Sequence, residues 1–382
     1  VNRPLEGLKV LTLEQYGAGP YGTQLLAELG ADVVKLEVRA AGGDVARGIG
    51  PYFCGEDDSL FFQTFSRGKK SITLDIRDAE DRRRFEALVA KADLVANNLR
   101  GTLPSVLALD YAGLSAFNPA IVCAHLSGYG RDTSRAAWPG YDYLMQAEAG
   151  FMELTGEPDG PPARFGLSLV DFMSGAMLAV GALAKILDAR ATGIGGDVDV
   201  SLFDTALHQL TYLTTWSLNS GHIASRLPRG AHPSIAPSQR VRTADGWGML
   251  MCQTPAIWRD FCRIVEREDL LADPRFAETA DRHANLEPLS EAMDAIFAQK
   301  SSQEWQALLG GKIPFAPVLD LAAALANPFI AESGLIQTVE HPACPDGLRM
   351  LAMPIKIDGE QMPGRRSPTL GEHDGLALWG VA

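Results

Sequence analysis

Positive charge is in short supply in this chain: 34 Lys plus Arg stand against 47 Asp plus Glu, a formal net charge of -13. A general nucleic-acid binder needs a basic surface to neutralise phosphates, so that class is excluded, although a local basic pocket for an anion is not. Cysteine is scarce too. Cys54, Cys123, Cys252, Cys262 and Cys344 are odd in number and scattered, with no CxxC pair and no metal-like His/Cys spacing. They read as reduced, mostly buried thiols of a cytosolic protein, and no metal is expected. Long apolar runs are missing. The most apolar one, between Asp171 and Lys185, falls short of the roughly 20 residues a membrane span requires. The opening VNRPLEGLKVL lacks the charged-then-apolar order of a secretion signal. A cytoplasmic location and no membrane partner are expected.

What is present is an ordinary globular mix, 46% hydrophobic and 21% charged over 382 residues. It excludes disorder, collagen and coiled coil, and leaves room for two or three domains. The first half alternates between two periods. GLKVLTLE at 7–14 and ADVVKLEV at 31–38 read as strands around a helical PYGTQLLAELG, a βαβ unit on a parallel sheet. SITLDI at 71–76, DLVANNL and AIVCAHLSG continue the strand pattern, and DAEDRRRFEALVAKA reads as a helix. The fold class is α/β, Rossmann-like, with helices covering a mostly parallel sheet. SGAMLAVGALAKILDAR reads as a buried helix stopped by TGIGG. Residues 221–240 look like a linker, VRTADGWGMLMC like a hairpin, and Ser301 with Glu304 like a capping box. The tail from about 330 is rich in Pro and Gly and shows little periodicity.

Two features carry chemistry. Gly17, Gly19 and Gly22 spell GxGxxG between a strand and a helix, with Glu37 at the end of the next strand, which is the dinucleotide fingerprint. Pro20 opposes that reading, because it has no N–H to offer a pyrophosphate at the first helical turn. It suits a helix start, with the glycines serving a tight turn and close helix packing. Asp171, in GLSLVDFMSGAMLAVG, sits at the start of the apolar helix. It reads either as an N-cap or as a nucleophilic or basic carboxylate that the helix N-terminus keeps ionised at neutral pH.

Taken in order, AGPYGTQLLAELGADVVKLE, KKSITLDI, GYDYLMQAEAGFMELTG, DGPPARFGLSLVDF and TGIGGDVDVSLFD make the whole chain resemble the class III CoA-transferase family. That family includes formyl-CoA and carnitine CoA-transferases and is related to the alpha-methylacyl-CoA racemases. In the transferases the aspartate after the DGPP segment is the nucleophile, a position held here by Asp171. The racemases carry a Gly-His-Asp triplet where this chain has Gly140-Tyr141-Asp142. Tyr141 replaces the histidine, and tyrosine, with an unperturbed pKa of about 10, is a poor proton-transfer partner at pH 7. Transferase is therefore favoured over racemase. A nicotinamide dehydrogenase and a silent CoA-binding protein are the remaining alternatives.

The resemblance implies an aspartyl anhydride and an aspartyl-CoA thioester as intermediates, with no permanently bound cofactor and an acyl-CoA and a free carboxylic acid as substrates. It places Gly17, Ala18 and Gly19 in a loop beside the nucleophile. Arg39, Asn97, Arg100, Tyr129, Lys69 and Arg67 are candidates to meet coenzyme A. Where formyl-CoA transferase has a run of glycines, AHPSIAPSQ at 231–239 looks closer to dicarboxylate-using relatives. There His232, Ser234 and Gln239, together with Tyr141, are weak candidates for the acyl pocket. The resemblance also implies a large domain from 1–220 and 330–382, a smaller inserted α+β domain at 225–325, linkers near 221–240 and 315–335, and an interlocked homodimer.

Overall fold

The structure, a computed structural model, describes residues 3–381. They form two compact units. The first takes the chain up to Ala149, then Phe165–Ser220, then Pro328 onward; the second takes Gly150–Arg164 and Gly221–Asn327. The segment 150–164 thus belongs with the second unit, apart from the helices on either side of it in sequence.

The first unit is built on six parallel strands: β1 (Lys9–Leu13), β2 (Asp32–Glu37), β3 (Lys70–Thr73), β4 (Leu94–Asn97), β5 (Val122–Ser127) and β6 (Gly196–Ser201), in the order β3-β2-β1-β4-β5-β6. The central strands are buried along nearly their whole length. That explains their continuous apolar runs, because strands covered on both faces have no solvent side to make polar. Leu11, Val34, Leu36, Ile72 and Val95 pack with Phe85, Leu88 and Val89 of helix α2 (Ala79–Val89) in one cluster. Asp78 caps that helix by accepting the N–H groups of Glu80 and Asp81.

Helix α1 (Ala18–Glu28) follows β1 directly. Pro20 is its third residue, two places beyond the first position, which Ala18 holds. Its missing donor costs nothing there, since the first four N–H groups of a helix have no partner inside it. Helix α3 (Asp142–Glu148) precedes α4, the longest helix, which spans Leu169–Thr192 and ends at Gly193 with φ 75°. The apolar run noted in the sequence is part of this 24-residue helix, which is long and apolar enough to cross a membrane by length and composition. Here it packs against α1, β5 and β6 as a core helix. Helices α5 (Leu202–Gln209) and α6 (Tyr212–Ser220) follow β6. The tail carries more order than its composition suggested: Ile336–His341 and Cys344–Leu351 form an antiparallel ribbon.

The approach of α4 to α1 depends on two glycines. A Cβ on Gly22 would lie 2.4 Å from the Gly175 carbonyl oxygen, and one on Gly175 would lie 2.5 Å from that of Ala18. Backbone meets backbone there, so no side chain can give way.

The second unit has a three-stranded antiparallel sheet in the order β9-β8-β7, where β7 is Ser238–Arg242, β8 Trp247–Met251 and β9 Phe315–Pro317. Its core is aromatic. Trp258, Phe261, Phe297, Trp305 and Phe315 are buried together, and Ser301 and Glu304 form the capping box of a helix over Ser302–Leu309. The stretch read as a linker to 240 ends inside β7.

Gly-to-Ala changes inside helices ordinarily stabilise, by about 1 kcal/mol. At Gly175 the sign should reverse. Gly175→Ala is expected to cost about 1–3 kcal/mol, read as a lower urea midpoint, because overpacking against a fixed backbone has no relief. An unchanged or higher midpoint would mean that the two helices can separate freely.

Candidate active site

The chain runs outward from β1 to β2 and β3 on one side of the sheet, and from β4 to β6 on the other. Strand order therefore reverses between β1 and β4, whose ends are level, with Leu13 opposite Asn97. In open α/β sheets the crevice beyond the carboxyl ends of such strands is where ligands bind. A cleft of about 560 Å³ opens at this point, lined by Gln15, Tyr16, Gly17 and Ala18 from the loop after β1, Asn98 and Arg100 from the loop after β4, and Tyr141 and Asp171.

Asp171 enters the cleft as the third residue of α4. It is not the cap, which is Ser168, and its own N–H donates to Asp142 Oδ2 at 3.0 Å. The Asp142 carboxylate thus satisfies a first-turn donor of α4, while its other oxygen accepts the Gln146 amide at 2.6 Å. Both carboxylates are buried, Asp171 being 6% exposed. Burial first, and the neighbouring Asp142 charge second, push the Asp171 carboxyl up to about 7. This corrects the expectation that the helix N-terminus keeps it ionised at neutral pH: desolvation and a like charge outweigh the helix dipole, whose effect is typically 0.3–1 kcal/mol, roughly a pKa unit or less.

The loop opposite is held rigidly. Gln15 N–H donates to Asn98 Oδ1 at 2.9 Å, and Asn98 Nδ2 donates back to the Gln15 carbonyl at 2.7 Å. Tyr16 takes a left-handed conformation, φ 70°, and its N–H donates to Asp44 Oδ1 at 2.9 Å. Asp44 Oδ2 in turn pairs with the buried Lys35 Nζ at 2.7 Å. Lys35 also donates to the Glu14 carbonyl at 2.8 Å, and Lys69 pairs with the Glu14 carboxylate at 2.7 Å. Burial raises Glu14, but Lys69 and Lys35 outweigh it and hold the carboxyl below its ordinary range. Burial lowers Lys69 to about 8. Two cations and two carboxylates are therefore matched beneath the loop, as buried charges must be. The loop then passes Gly17, where a Cβ would stand 3.5 Å from Asp171 Oδ2. Ala18 and Gly19 begin α1, so their N–H groups have no partner inside the helix.

Of the candidates named from the sequence, Gly17, Ala18, Arg100, Tyr141 and Asp171 line the cleft. Gly19 lies against Asn98, where a Cβ would come within 2.9 Å of the Asn98 Cβ. Arg39 is exposed and pairs with Asp374 at 2.7 Å. Arg67 is mostly buried, pairing with Glu28 at 3.1 Å and bonding the Leu351 carbonyl. Tyr129 donates its hydroxyl to Glu148 at 2.7 Å and sits edge-on to Trp138, itself a wall of the cleft.

Three assignments change. Lys69 is buried and spends its ammonium on Glu14 and the carbonyls of Pro20 and Phe65, so it is an internal charge and not a coenzyme A contact. Asn97 is buried against His125, 2.9 Å away; its neighbour Asn98 lines the cleft instead. Gln239 is buried within the second unit and donates to Ser290 at 2.8 Å, a core contact and not a pocket wall. His232 and Ser234 also belong to the second unit, where the Ser234 N–H donates to His232 Nδ1 at 3.1 Å. Glu37, the acid of the dinucleotide fingerprint, has no free oxygen for a ribose. Arg47 binds it through Nε at 2.8 Å and Nη2 at 2.7 Å, Ser71 donates at 2.5 Å, and Asp44 N–H at 3.0 Å.

The model of the family described as CoA-transferase family III matches residues 5–374. The chain is 33% identical to the succinyl-CoA:mesaconate CoA-transferase of Haloarcula hispanica, over 97% of this chain and 94% of that protein. It is 34% identical to the acetyl-CoA:oxalate CoA-transferase of Acetobacter aceti, over 98% and 95%. A crystal structure of a CAIB/BAIF family protein from Brucella suis superposes with a TM-score of 0.84 at 32% identity, covering 98% of each chain.

The raised Asp171 carboxyl has a consequence for stability. Its native pKa of about 7 exceeds the unfolded value near 3.8, so the protonated form is favoured by folding. That contribution is complete below pH 3.8 and is lost as pH rises through 7. Asp171→Asn is therefore expected to gain stability over wild type between pH 5 and 8, by about 1–4 kcal/mol in paired denaturation curves. A difference independent of pH would contradict this electrostatic reading.

Proposed function

The chain belongs to CoA-transferase family III, and we propose that it moves coenzyme A from an acyl-CoA to a free dicarboxylic acid, with Asp171 as covalent nucleophile. The observation that carries this reading is the buried Asp171 carboxylate among the residues lining the switch-point cleft, with the backbone of Gly17, in the loop after β1, close beside it. A carboxylate deprived of water and raised to about 7 is more nucleophilic once ionised than a solvated one.

An Asp171 oxygen attacks the donor thioester carbonyl. The C–S bond breaks, leaving an aspartyl–acyl anhydride and the coenzyme A thiolate. The thiolate attacks the aspartyl carbonyl, releasing the donor acid as its carboxylate and forming an aspartyl-CoA thioester. The acceptor carboxylate attacks that thioester and expels the thiolate, giving a second anhydride. The thiolate then attacks the acceptor carbonyl, forming the new acyl-CoA and freeing Asp171. Each step develops an oxyanion, and the unpaired N–H groups of Ala18 and Gly19 are our candidates to receive it. Arg100 supplies a cation along the cleft for a coenzyme A phosphate or a distal carboxylate. Dicarboxylate acceptors are favoured because the two relatives described above are named for mesaconate and oxalate.

The racemase alternative requires a second proton-transfer group facing Asp171. Among the described residues that line the cleft there is no histidine, and Tyr141 is 63% exposed. We further propose a homodimer. Helix α6 buries none of its residues, and Leu218 on it is 85% exposed, apolar surface that a second copy would cover.

The test is transfer from succinyl-CoA to a panel of mono- and dicarboxylic acids, read by chromatography of the acyl-CoA products. Dicarboxylates should be the better acceptors, and Asp171→Ala should lose at least about 10³-fold in kcat. Activity retained in that variant would sink the nucleophile assignment. Deuterium exchange at the α-carbon of a branched acyl-CoA, without transfer, would favour the racemase.

A further inference from the structure

Two turns from opposite ends of the chain pack together in the first unit. Phe53–Gly55 pairs with Asp58–Ser59, and the other turn joins Ile336–His341 to Cys344–Leu351. The turns are in contact: a Cβ on Gly55 would lie 3.2 Å from that of Ala343. At this junction Cys54 Sγ, a ring nitrogen of His341 and Cys344 Sγ all lie within 4.8 Å of one another. Contrary to the expectation of no metal-like His/Cys spacing, His341 and Cys344 are separated by two residues, and the fold brings Cys54 to them from the other end of the chain.

We propose that Cys54, His341 and Cys344 form a Zn²⁺ site, with two thiolates and one imidazole nitrogen as ligands and a fourth position left to water or an outside ligand. Thiolate and imidazole donors select zinc over the hard cations, and three protein ligands with one open position is an established coordination pattern for it. With Zn–S near 2.3 Å and Zn–N near 2.0 Å, tetrahedral donors stand about 3.5–3.8 Å apart, so separations of up to 4.8 Å need to close by no more than about 1.3 Å. Binding displaces both thiol protons: two S–H bonds break, two Zn–S bonds form and two protons go to solvent.

The surroundings of His341 are what a ligand needs. Its Nε2 is 2.9 Å from Asp58 Oδ2, and the two side chains are nearly fully buried. The other Asp58 oxygen accepts the Gln63 amide at 2.6 Å, and Gln63 Oε1 accepts the Ser367 N–H at 2.9 Å. A carboxylate on one ring nitrogen fixes the tautomer and leaves the other nitrogen's lone pair to the metal. That atom, Nδ1, accepts the Ala343 N–H at 3.2 Å, a bond the metal would have to displace, and Gln63 Nε2 lies 3.2 Å from Nε2 beside Asp58. A disulfide between Cys54 and Cys344 would leave this buried chain of three side chains without a task. The ion would also join two short ribbons, each of only two strands, a size that is marginal alone.

The test uses the full-length protein, reduced and stripped with a chelator, titrated with Zn²⁺ and separately with Co²⁺. One ion per chain, a thiolate-to-cobalt charge-transfer band, intense tetrahedral visible bands and a higher melting temperature with zinc are expected. Cys54→Ser and Cys344→Ser should each weaken the charge-transfer band, and Asp58→Asn should lower affinity about 10–100-fold. Cys252→Ser, a change within the second unit's own core, should leave binding unchanged. If a variant fails to fold, the wild-type cobalt spectrum still decides the number of thiolate ligands. No stoichiometric binding, a spectrum without thiolate ligation, or binding unaffected by the Cys54 and Cys344 changes would overturn the site. So would a Cys54–Cys344 disulfide in protein purified without added oxidant, together with no cobalt band from the reduced chain.

Discussion

Everything in the first unit that bears on chemistry depends on the backbone contact between Gly22 of α1 and Gly175 of α4. It lets two helices approach until carbonyl oxygens replace side chains as the packing surface. Because α1 starts directly after the loop of β1, and α4 carries Asp171 in its first turn, this one contact sets the distance between the loop and the carboxylate. The glycines that imitate a dinucleotide fingerprint are thus explained by packing. Gly22 serves the helix contact and Gly19 admits Asn98, whereas a side chain at Gly17 would meet Asp171 only at ordinary contact distance.

The second requirement is electrical. A loop that must hold its shape beside a reacting carboxylate is anchored from below by Lys35, Asp44, Glu14 and Lys69, four buried charges that balance one another. Asp44 passes that anchoring to the backbone through the Tyr16 N–H. Asp171 stands outside this matched set. Among the described residues no cation is paired with it, its nearest charged influence is the like-charged Asp142, and its proton affinity rises accordingly. The contrast is functional. Charges that build the site are neutralised, and the one that reacts is kept costly to ionise.

Much of this is legible in the sequence. The β1–α1–β2 unit shows in its switch of hydrophobic period, and Asp171 stands out as a carboxylate opening an apolar helix. What escapes notice depends on partners distant along the chain. Nothing in the ANNLRG stretch tells Asn98, which clasps Gln15, from the buried Asn97 beside it. Lys69 looks like a surface cation until Glu14 and the carbonyls of Pro20 and Phe65 are placed around it. Asp142 reads as a neighbour of Tyr141, whereas its carboxylate accepts from the first turn of α4. The proton affinity of Asp171 follows from burial and that partner, and local sequence pointed the other way. Gly150–Arg164 reads as a helical stretch broken by a turn at TGEPDGPP, and nothing local shows that it belongs to the second unit.

The central claim is that Asp171 becomes acylated. Intact mass of the protein after mixing with succinyl-CoA in the absence of an acceptor, with and without hydroxylamine, tests it most directly. The account predicts a covalent adduct on wild type that hydroxylamine removes and that Asp171→Ala never forms. An adduct of the same mass on Asp171→Ala, or none on a wild-type enzyme that is turning over succinyl-CoA, would contradict it.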